Sequence, residues 1–569
     1  MLPILSRLIT RLLKLPPAET YAVTVDRDLR IPMRDGAVLL ADHYYTRQHP
    51  QAPTILVRSP YGRASVWGAI LARPFAERGF QVLIQSYRGT FGADGVFNAF
   101  RDEQRDGLDT LAWLQQQPWF SGAFATVGPS YLGLVQWAVA AEAGDVLKAM
   151  AVQITSSEFR SLVYPGESFG LDTALTWIQS LAHQEEGIWR QILATRRRER
   201  EKQAAALHLP LCEADQLAAG KSVGFYQDWL VHNAPDDPWW QPVDFSDTVG
   251  AITAPVTLLG GWYDIFLPQI LADYTRLRQA GQQPYLTVGP WTHGSPAMFG
   301  YTVREALAWF RTHLLGEQGL LRQSPVQVFV MGRNEWREFP DWPPAGYEPQ
   351  HWFLQSSHQL SPQPPTANEQ PDRYRYDPAD PTPAVGGSSL SQNAGAKDNR
   401  TVEERQDVLV YTSPVLAQAI EVIGAIRAEL FVQSSLAHTD FFVRLCDVDP
   451  KGKSLNISDG LVRLRPGQPT GQPTGQPTVG DDGVWQISVE LWATAHCFQK
   501  GHRIRLQVAG GSHPRYVRNT GSGEPLATAT TLVAADHAVY HDAQHPSAII
   551  LPIQQKYFIQ GLTASGVKG

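Results

Sequence analysis

The feature that most constrains this chain is a change of pattern near residue 325, where short apolar runs separated by helical stretches give way to strand-like runs alone. On the near side, TILVRSP (54–60) and FQVLIQSYRG (80–89) read as buried strands. WGAILARPFAERG (67–79) reads as a helix between them, closed by Gly79. A further helix at about 101–117 places Leu108, Leu111 and Leu114 on neighbouring turns. Strands alternating with helices predict a mostly parallel sheet with helices on both faces. Residues 151–246 interrupt the alternation. LDTALTWIQSLAHQEEGIWRQILATRRRERE and the tryptophans Trp229, Trp239 and Trp240 carry little strand signal and read as a helical insertion. The α/β pattern returns with APVTLLGGWYD (254–264) and PYLTVGPWTHG (284–294), followed by an amphipathic helix near 303–316. Beyond 325, VQVFVMG, HWFLQ, AELFVQSS, DFFVRLCDV, GVWQISVELW and HRIRLQVAG alternate between Gly, Pro, Asn and Asp, which predicts a jelly-roll β-sandwich.

The expected organisation is an N-terminal arm (1–19), an α/β domain in two pieces (20–150 and 247–325), a helical cap (151–246) and a β-sandwich (326–569). Several domains are also what 569 residues require, since one core does not grow that large. A net charge of −7 gives no electrostatic case for nucleic acid or an anionic membrane. Seventeen tryptophans can wall apolar pockets. The three cysteines, Cys212, Cys446 and Cys497, are far apart and form no CxxC pair, which argues against a disulfide framework or a cysteine zinc site and for a reducing compartment. A cytoplasmic location is expected because the first apolar stretch is broken by charge and no small-residue cleavage site follows. MLPILSRLITRLLKLPP begins the chain with Leu2, Leu5, Ile9, Leu12 and Leu13 near one helical face and Arg7, Arg11 and Lys14 elsewhere. Both a packed helix and a membrane-brushing arm fit that pattern, and Pro16 and Pro17 stop it. No run is long and apolar enough for a transmembrane helix. GQPT, repeated at 467–478, has no hydrophobic residue and reads as a flexible surface insert.

Attack on an ester or amide carbonyl needs a nucleophile, a base, an orienting group and donors for the developing oxyanion. Ser130, in ATVGPSYLGLVQWAVAA, lies where a short strand passes into a helix, with Gly128 and Gly133 leaving room for close packing. The motif departs from G-x-S-x-G, because Leu132 holds the second glycine position and the glycine comes one later. A serine capping a helix is the structural alternative. Asp264 ends the run VTLLGGWYD, and His293 ends the next, YLTVGPWTHG. Taken singly, Asp264 fits a turn and His293 a packed loop histidine. Together they give the chain order Ser, Asp, His of α/β-hydrolases, and such loops converge at the carboxyl edge of a parallel sheet. Tyr61, in VRSPYG, can offer its hydroxyl to an oxyanion beside the Tyr131 backbone N–H. A plain aromatic in a Pro-Tyr-Gly turn also accounts for it.

These residues resemble the cocaine esterase-like hydrolases, a family related to X-prolyl dipeptidyl peptidases and α-amino acid ester hydrolases. The carrying stretches are IPMRDGAVLLADHYY (31–45), VRSPYG (57–62), YRGTFGADGVF (87–97), WLQQQPW (113–119), GPSYLG (128–133), GGWYDIF (260–266) and GPWTHG (289–294). HTDFFVRLCDVDPKGKSLNISDGLVR (438–463) and GGSHPRYVRNTG (510–521) resemble its jelly roll. The resemblance implies an α/β-hydrolase core, an inserted helical cap and a C-terminal jelly roll packed against both. It implies Ser130, Asp264 and His293 as triad, Tyr61 and the Tyr131 amide as oxyanion hole, and Phe266 as an acyl-pocket aromatic. Trp177 in the cap is a second pocket candidate, with core packing as its alternative. Ser86 stands where the family usually has an aspartate, a position expected to be structural.

The expected activity is hydrolysis of a small-molecule ester or amide through an acyl-enzyme, with no metal or organic cofactor required. An ester substrate is favoured. The rival is an aminopeptidase or amino-ester hydrolase, which must hold an ammonium group. The insertion offers Glu158, Glu167 and Asp172 for that, each expected to be a solvated helix residue. A non-catalytic carbohydrate-binding protein is the reading from another class. The sequence leaves the oligomeric state open.

Overall fold

The computed structural model describes residues 2–64, 68–466 and 478–555. The chain forms two compact units, Met1–Arg160 with Pro238–Gln327 and Ser161–Asp237 with Val328–Gly569. The first holds eight strands of a ten-stranded sheet, β1 (Thr24–Pro32), β2 (Val38–Tyr45), β3 (Thr54–Ser59), β4 (Gln81–Ser86), β5 (Phe124–Pro129), β6 (Leu147–Gln153), β7 (Val256–Tyr263) and β8 (Tyr285–Thr292). They run in the order β1-β2-β4-β3-β5-β6-β7-β8. The first two pairings are antiparallel and the rest parallel. Every residue of β3, β4, β5 and β7 is buried. Helices on both faces of a parallel sheet impose that, which is why these segments read as continuous apolar runs and not as alternations.

The helices that frame the sheet are α1 (Leu2–Leu12), α2 (Glu103–Leu114), α3 (Tyr131–Ala140), α4 (Leu267–Gln279) and α5 (Pro296–Leu315). All of α3 is buried, in keeping with a sequence whose polar members are Tyr131 and Gln136. α5 starts before the expected 303, with Pro296 in its first turn, where a missing N–H costs nothing. The helix expected over 67–79 is present from Gly68 to Ala76 but is irregular. Gly68–Ala72 forms a π-helical turn and Arg73–Ala76 a single α-turn, because Pro74 cannot donate into a helical ladder. Gly79 closes it with φ +88°. β6 extends through Gln153, so the sheet runs into the stretch expected as cap.

Polar bonds tie α1 and the residue after it to their neighbours. Ser6 is buried and hydrogen-bonds Glu77. Thr10 accepts from Arg78 at 3.1 Å, and the Leu13 carbonyl accepts from Arg304 at 2.6 Å. Leu8 and Leu12 are exposed.

In the second unit the inserted segment forms helices at Leu171–His183 and Ile188–Leu207. The C-terminal segment is a β-sandwich of antiparallel ladders. Ile420–Ser434 pairs with Trp485–Phe498, and Thr439–Val448 lies between Ser454–Leu464 and Arg503–Ala509. Thr439–Val448 is buried throughout although it contains Asp440, Arg444 and Asp447. Buried charges persist when paired. Arg463 holds Asp440 with two bonds of 2.8 and 2.7 Å, and Arg444 holds Asp459 at 3.1 and 2.9 Å. All three cysteines are free. The GQPT repeats, through residue 477, lie outside the described residues. Among the described residues no helix is long and apolar enough to cross a membrane.

Candidate active site

Ser130 occupies the turn from β5 into α3 with φ 60° and ψ −127°, a backbone region that L residues visit only when their surroundings impose it. The end of β6 does so. The Ser130 N–H donates to the Gln153 carbonyl at 2.9 Å, and its own carbonyl accepts from Thr155 Oγ1 at 2.7 Å and from the Gly133 N–H at 2.8 Å. The two glycines follow from this packing. A Cβ at Gly128 would lie 2.4 Å from Leu132 Cβ, and one at Gly133 would lie 2.4 Å from Thr155 Cγ2. The displaced glycine of G-x-S-Y-x-G is thus the one facing Thr155, just past β6.

β7 and β8 are parallel neighbours, with Tyr263 opposite Thr292, so the residues that follow them leave the sheet at the same edge. His293 Nε2 lies 3.1 Å from Ser130 Oγ, and His293 Nδ1 lies 2.7 Å from Asp264 Oδ2. Asp264 is fully buried. Its second oxygen accepts the Phe266 N–H at 2.8 Å, so both oxygens are held and the carboxylate cannot rotate. A carboxylate at Nδ1 selects the tautomer with its proton on Nδ1, leaving the Nε2 lone pair for the serine hydroxyl. The structure therefore brings Ser130, His293 and Asp264 into one hydrogen-bonded chain across three loops.

Phe266 is buried, its ring 5.6 Å from the His293 ring. Tyr131 begins α3 directly after Ser130. Tyr61 lies in the turn after β3, where its N–H donates to Ser59 Oγ at 3.0 Å. β3 is the parallel neighbour of β5, so Tyr61 and Ser130 leave adjacent strands at the same edge. Trp177, in the second unit, packs with Phe225 at 5.3 Å and stacks on Trp229 at 5.9 Å. Ser86 is buried and accepts from Arg63 Nη1 at 3.0 Å. The Arg63 charge is met by Asp42 at 3.1 Å and by Asp28, so carboxylates from elsewhere stand in for the one absent at 86.

The expectation that Glu158, Glu167 and Asp172 are solvated is corrected for two of them, since Glu167 and Asp172 are buried. Asp172 is held by Lys202 Nζ at 3.5 Å and by the Ser389 hydroxyl. Burial without a matching charge nearby was invisible in a stretch that reads as an amphipathic helix.

Asp273 and Glu103 are among the buried carboxylates that escaped the sequence reading. Asp273 on α4 accepts from the Ser157 N–H at 3.0 Å and from Arg276 at 2.8 Å, which ties down the chain leaving β6. Burial lifts its carboxyl to about 6. Glu103 opens α2, accepts from the Tyr131 hydroxyl at 2.7 Å, and is lifted by burial to about 7. In the sequence it stands in RDEQRD, indistinguishable from a solvated helix start.

A serine on a strained strand-to-helix turn, joined through histidine to a buried carboxylate at the carboxyl edge of a parallel sheet, defines the class: a serine hydrolase on an α/β-hydrolase sheet. Comparison with known proteins narrows this. Residues 35–295 match the X-Pro dipeptidyl-peptidase (S15) family, and residues 319–550 match the X-Pro dipeptidyl-peptidase C-terminal non-catalytic domain. The cocaine esterase of Rhodococcus sp. (strain MB1 Bresler) is 32% identical, over 93% of this chain and 98% of that protein. The chain belongs to this family of cocaine esterase-like, X-prolyl dipeptidyl peptidase-related serine hydrolases. The fold is shared with solved structures too. An aminopeptidase from a marine sediment Thaumarchaeota archaeon superposes with TM-score 0.77 at 22% identity, covering 95% of this chain and 97% of that one. An α-amino acid ester hydrolase superposes with TM-score 0.73 at 21% identity, covering 95% and 98%.

Proposed function

We propose that this enzyme cleaves carboxylic esters through an acyl-enzyme in which Ser130 is the nucleophile, His293 the general base and Asp264 the orienting carboxylate. The observation that carries the reading is the unbroken hydrogen-bonded chain Asp264–His293–Ser130. His293 Nε2 takes the hydroxyl proton as Ser130 Oγ bonds to the carbonyl carbon, and Asp264 stabilises the imidazolium. The carbonyl electron pair moves onto oxygen, to be met by the Tyr131 amide and the Tyr61 hydroxyl. As the pair returns, the C–O bond to the alcohol breaks and His293 protonates the leaving oxygen. Water then repeats the two steps and releases the acid. No step requires a metal or an organic cofactor.

The 32% identical relative is named a cocaine esterase, and Phe266 lies against the imidazole. Both favour a small ester with an apolar or aromatic acyl group, with Phe266 as a pocket aromatic. The amino-substrate reading needs a carboxylate free to hold an ammonium group, and Asp172 already has Lys202 and Ser389. Three free cysteines favour a reducing, cytoplasmic setting.

Hydrolysis of a short-chain p-nitrophenyl ester is to be measured beside an Ala-Pro p-nitroanilide, with Ser130→Ala as control. Ester turnover should dominate and fall by about 10⁶-fold in the variant, with fluorophosphonate labelling abolished. Dominant anilide turnover would make the enzyme an aminopeptidase. Full labelling or activity in the variant would remove Ser130 from its role.

A further inference from the structure

Tyr131 has a second set of partners that the acyl-enzyme steps leave unused. Its side chain is buried. The hydroxyl donates to Glu103 Oε1 at 2.7 Å and accepts the Phe100 N–H at 2.9 Å. The ring stacks on Phe100 at 4.3 Å and meets Tyr87 at 5.1 Å. Phe100 in turn packs on Phe159, beyond the end of β6, at 3.8 Å. Glu103 is anchored separately. Arg58 on β3 donates to its backbone carbonyl at 2.8 Å, reaches its carboxylate at 3.4 Å, and spends its Nε on Gln85 at 3.0 Å. A strand, the start of α2 and the first residue of α3 are thereby tied through one carboxylate to the residue whose amide follows the nucleophile.

We propose that Glu103 is a positioning residue for hydrolysis: through the Tyr131 hydroxyl it holds the first turn of α3, and with it the amide that meets the oxyanion. The inference rests on the reading of the Tyr131 amide as an oxyanion donor. An amide aimed where charge develops contributes only while it is held, because reorientation during the reaction forfeits the gain. A phenol donating to a charged carboxylate is a shorter and stronger tether than one donating to a neutral acid. The groups facing Glu103 are Arg58 from β3, Tyr87 from beyond β4, Asp102 and Asp106 from the start of α2, and Tyr131 from α3. Burial, helped by Asp106 and Asp102 and opposed by Arg58 and the Tyr131 hydroxyl, lifts the Glu103 carboxyl to about 7, so the tether gains its charge near neutral pH. Turnover then depends on the charge state of Glu103 as well as on the triad.

The test uses the full-length enzyme, a p-nitrophenyl ester and the variants Glu103→Gln, Tyr131→Phe and the double variant. Active sites are counted by fluorophosphonate titration so that misfolded protein does not enter kcat. Each single variant should lose about tenfold or more in kcat with KM within about twofold. The double variant should be no slower than the slower single, since both cut one tether. Affinity for a phenylboronic acid, which forms a tetrahedral adduct, should fall in step with kcat. The acid limb of kcat/KM should lose one proton's slope in Glu103→Gln. Multiplicative losses, an unchanged acid limb, or kcat per site within about twofold of wild type would each overturn the proposal, and Tyr131→Phe decides alone if Glu103→Gln does not fold. Ester turnover that survives Ser130→Ala would instead sink the acyl-enzyme reading beneath it.

Discussion

Glu103 beside the nucleophile and Asp459 in the β-sandwich are both buried and both face arginine, yet their carboxyls move in opposite directions. Glu103 meets one guanidinium at 3.4 Å, which also donates to a backbone carbonyl and to Gln85. Burial wins and its carboxyl rises to about 7. Asp459 takes two bonds from Arg444 and another from Arg515. Burial acts on it as well, but two matched arginines outweigh it and hold the carboxyl below the usual range. Burial sets the penalty for charge, and the number and aim of cationic donors decides whether the charge is kept. The sandwich uses its ion pairs to hold strands together. The catalytic unit keeps an under-compensated acid one hydrogen bond from its reactive turn, a configuration that lowers stability and is retained where function gains.

The largest effect that would break this contrast is in the sandwich. Asp459→Asn leaves Arg444 and Arg515 without their charge partner and should cost about 3–5 kcal/mol in urea unfolding. The wild-type contribution carries a sign. With a depressed folded pKa, it is present above the ordinary carboxylate range and lost as pH falls through the lower folded value. A loss under about 1 kcal/mol would mean that the Asp459 pairs do not hold the strands.

Glu103 should show the opposite slope. Its folded carboxyl titrates near 7 against an ordinary 4.5, so the folded state binds the extra proton between those values. Stability should therefore fall by about 3 kcal/mol as pH rises from roughly 4.5 to 7, and stay flat above. Glu103→Gln should remove that slope, making the variant more stable at pH 8 although slower. A variant less stable at pH 8 would show that the carboxylate is a structural tie like Asp459.

The smallest effect separates crowding from charge. Gly133→Ala would put a Cβ 2.4 Å from Thr155 Cγ2 and should cost about 1–3 kcal/mol. Thermal unfolding and kcat should fall together, with no change in pH slope. Unaltered kcat would mean that the turn at Ser130 does not depend on its packing against β6.

Much of this was legible before any coordinates. The runs that became β3, β4, β5, β7 and β8 are continuous and apolar because a parallel sheet covered on both faces demands it, and the order of Ser130, Asp264 and His293 fits loops meeting at one edge. The misreadings share a cause. WGAILARPFAERG is helical as its periodicity predicts, and what periodicity misses is its π-helical first turn ahead of Pro74. Asp172 reads as a solvated helix residue, because its partners Lys202 and Ser389 lie far along the chain. Glu103 sits among charges in RDEQRD, and only the fold takes it out of water. Pattern shows which face is apolar; it does not show which polar side chain is drawn inside to meet a distant partner.

The division of the chain into Met1–Arg160 with Pro238–Gln327 and Ser161–Asp237 with Val328–Gly569 has a consequence for how the protein is made. Neither unit is a contiguous stretch, so during synthesis the first half of the sheet leaves the ribosome without β7 and β8, and without the residues that will become Asp264 and His293. The inserted helices follow next, and Asp172 must wait for Ser389 to be translated. Each unit is completed only after a piece of the other has been translated. A ribosome pause or a truncation near residue 237 would strand two half-built cores at once, so chaperone demand should peak there and not at the end of the chain.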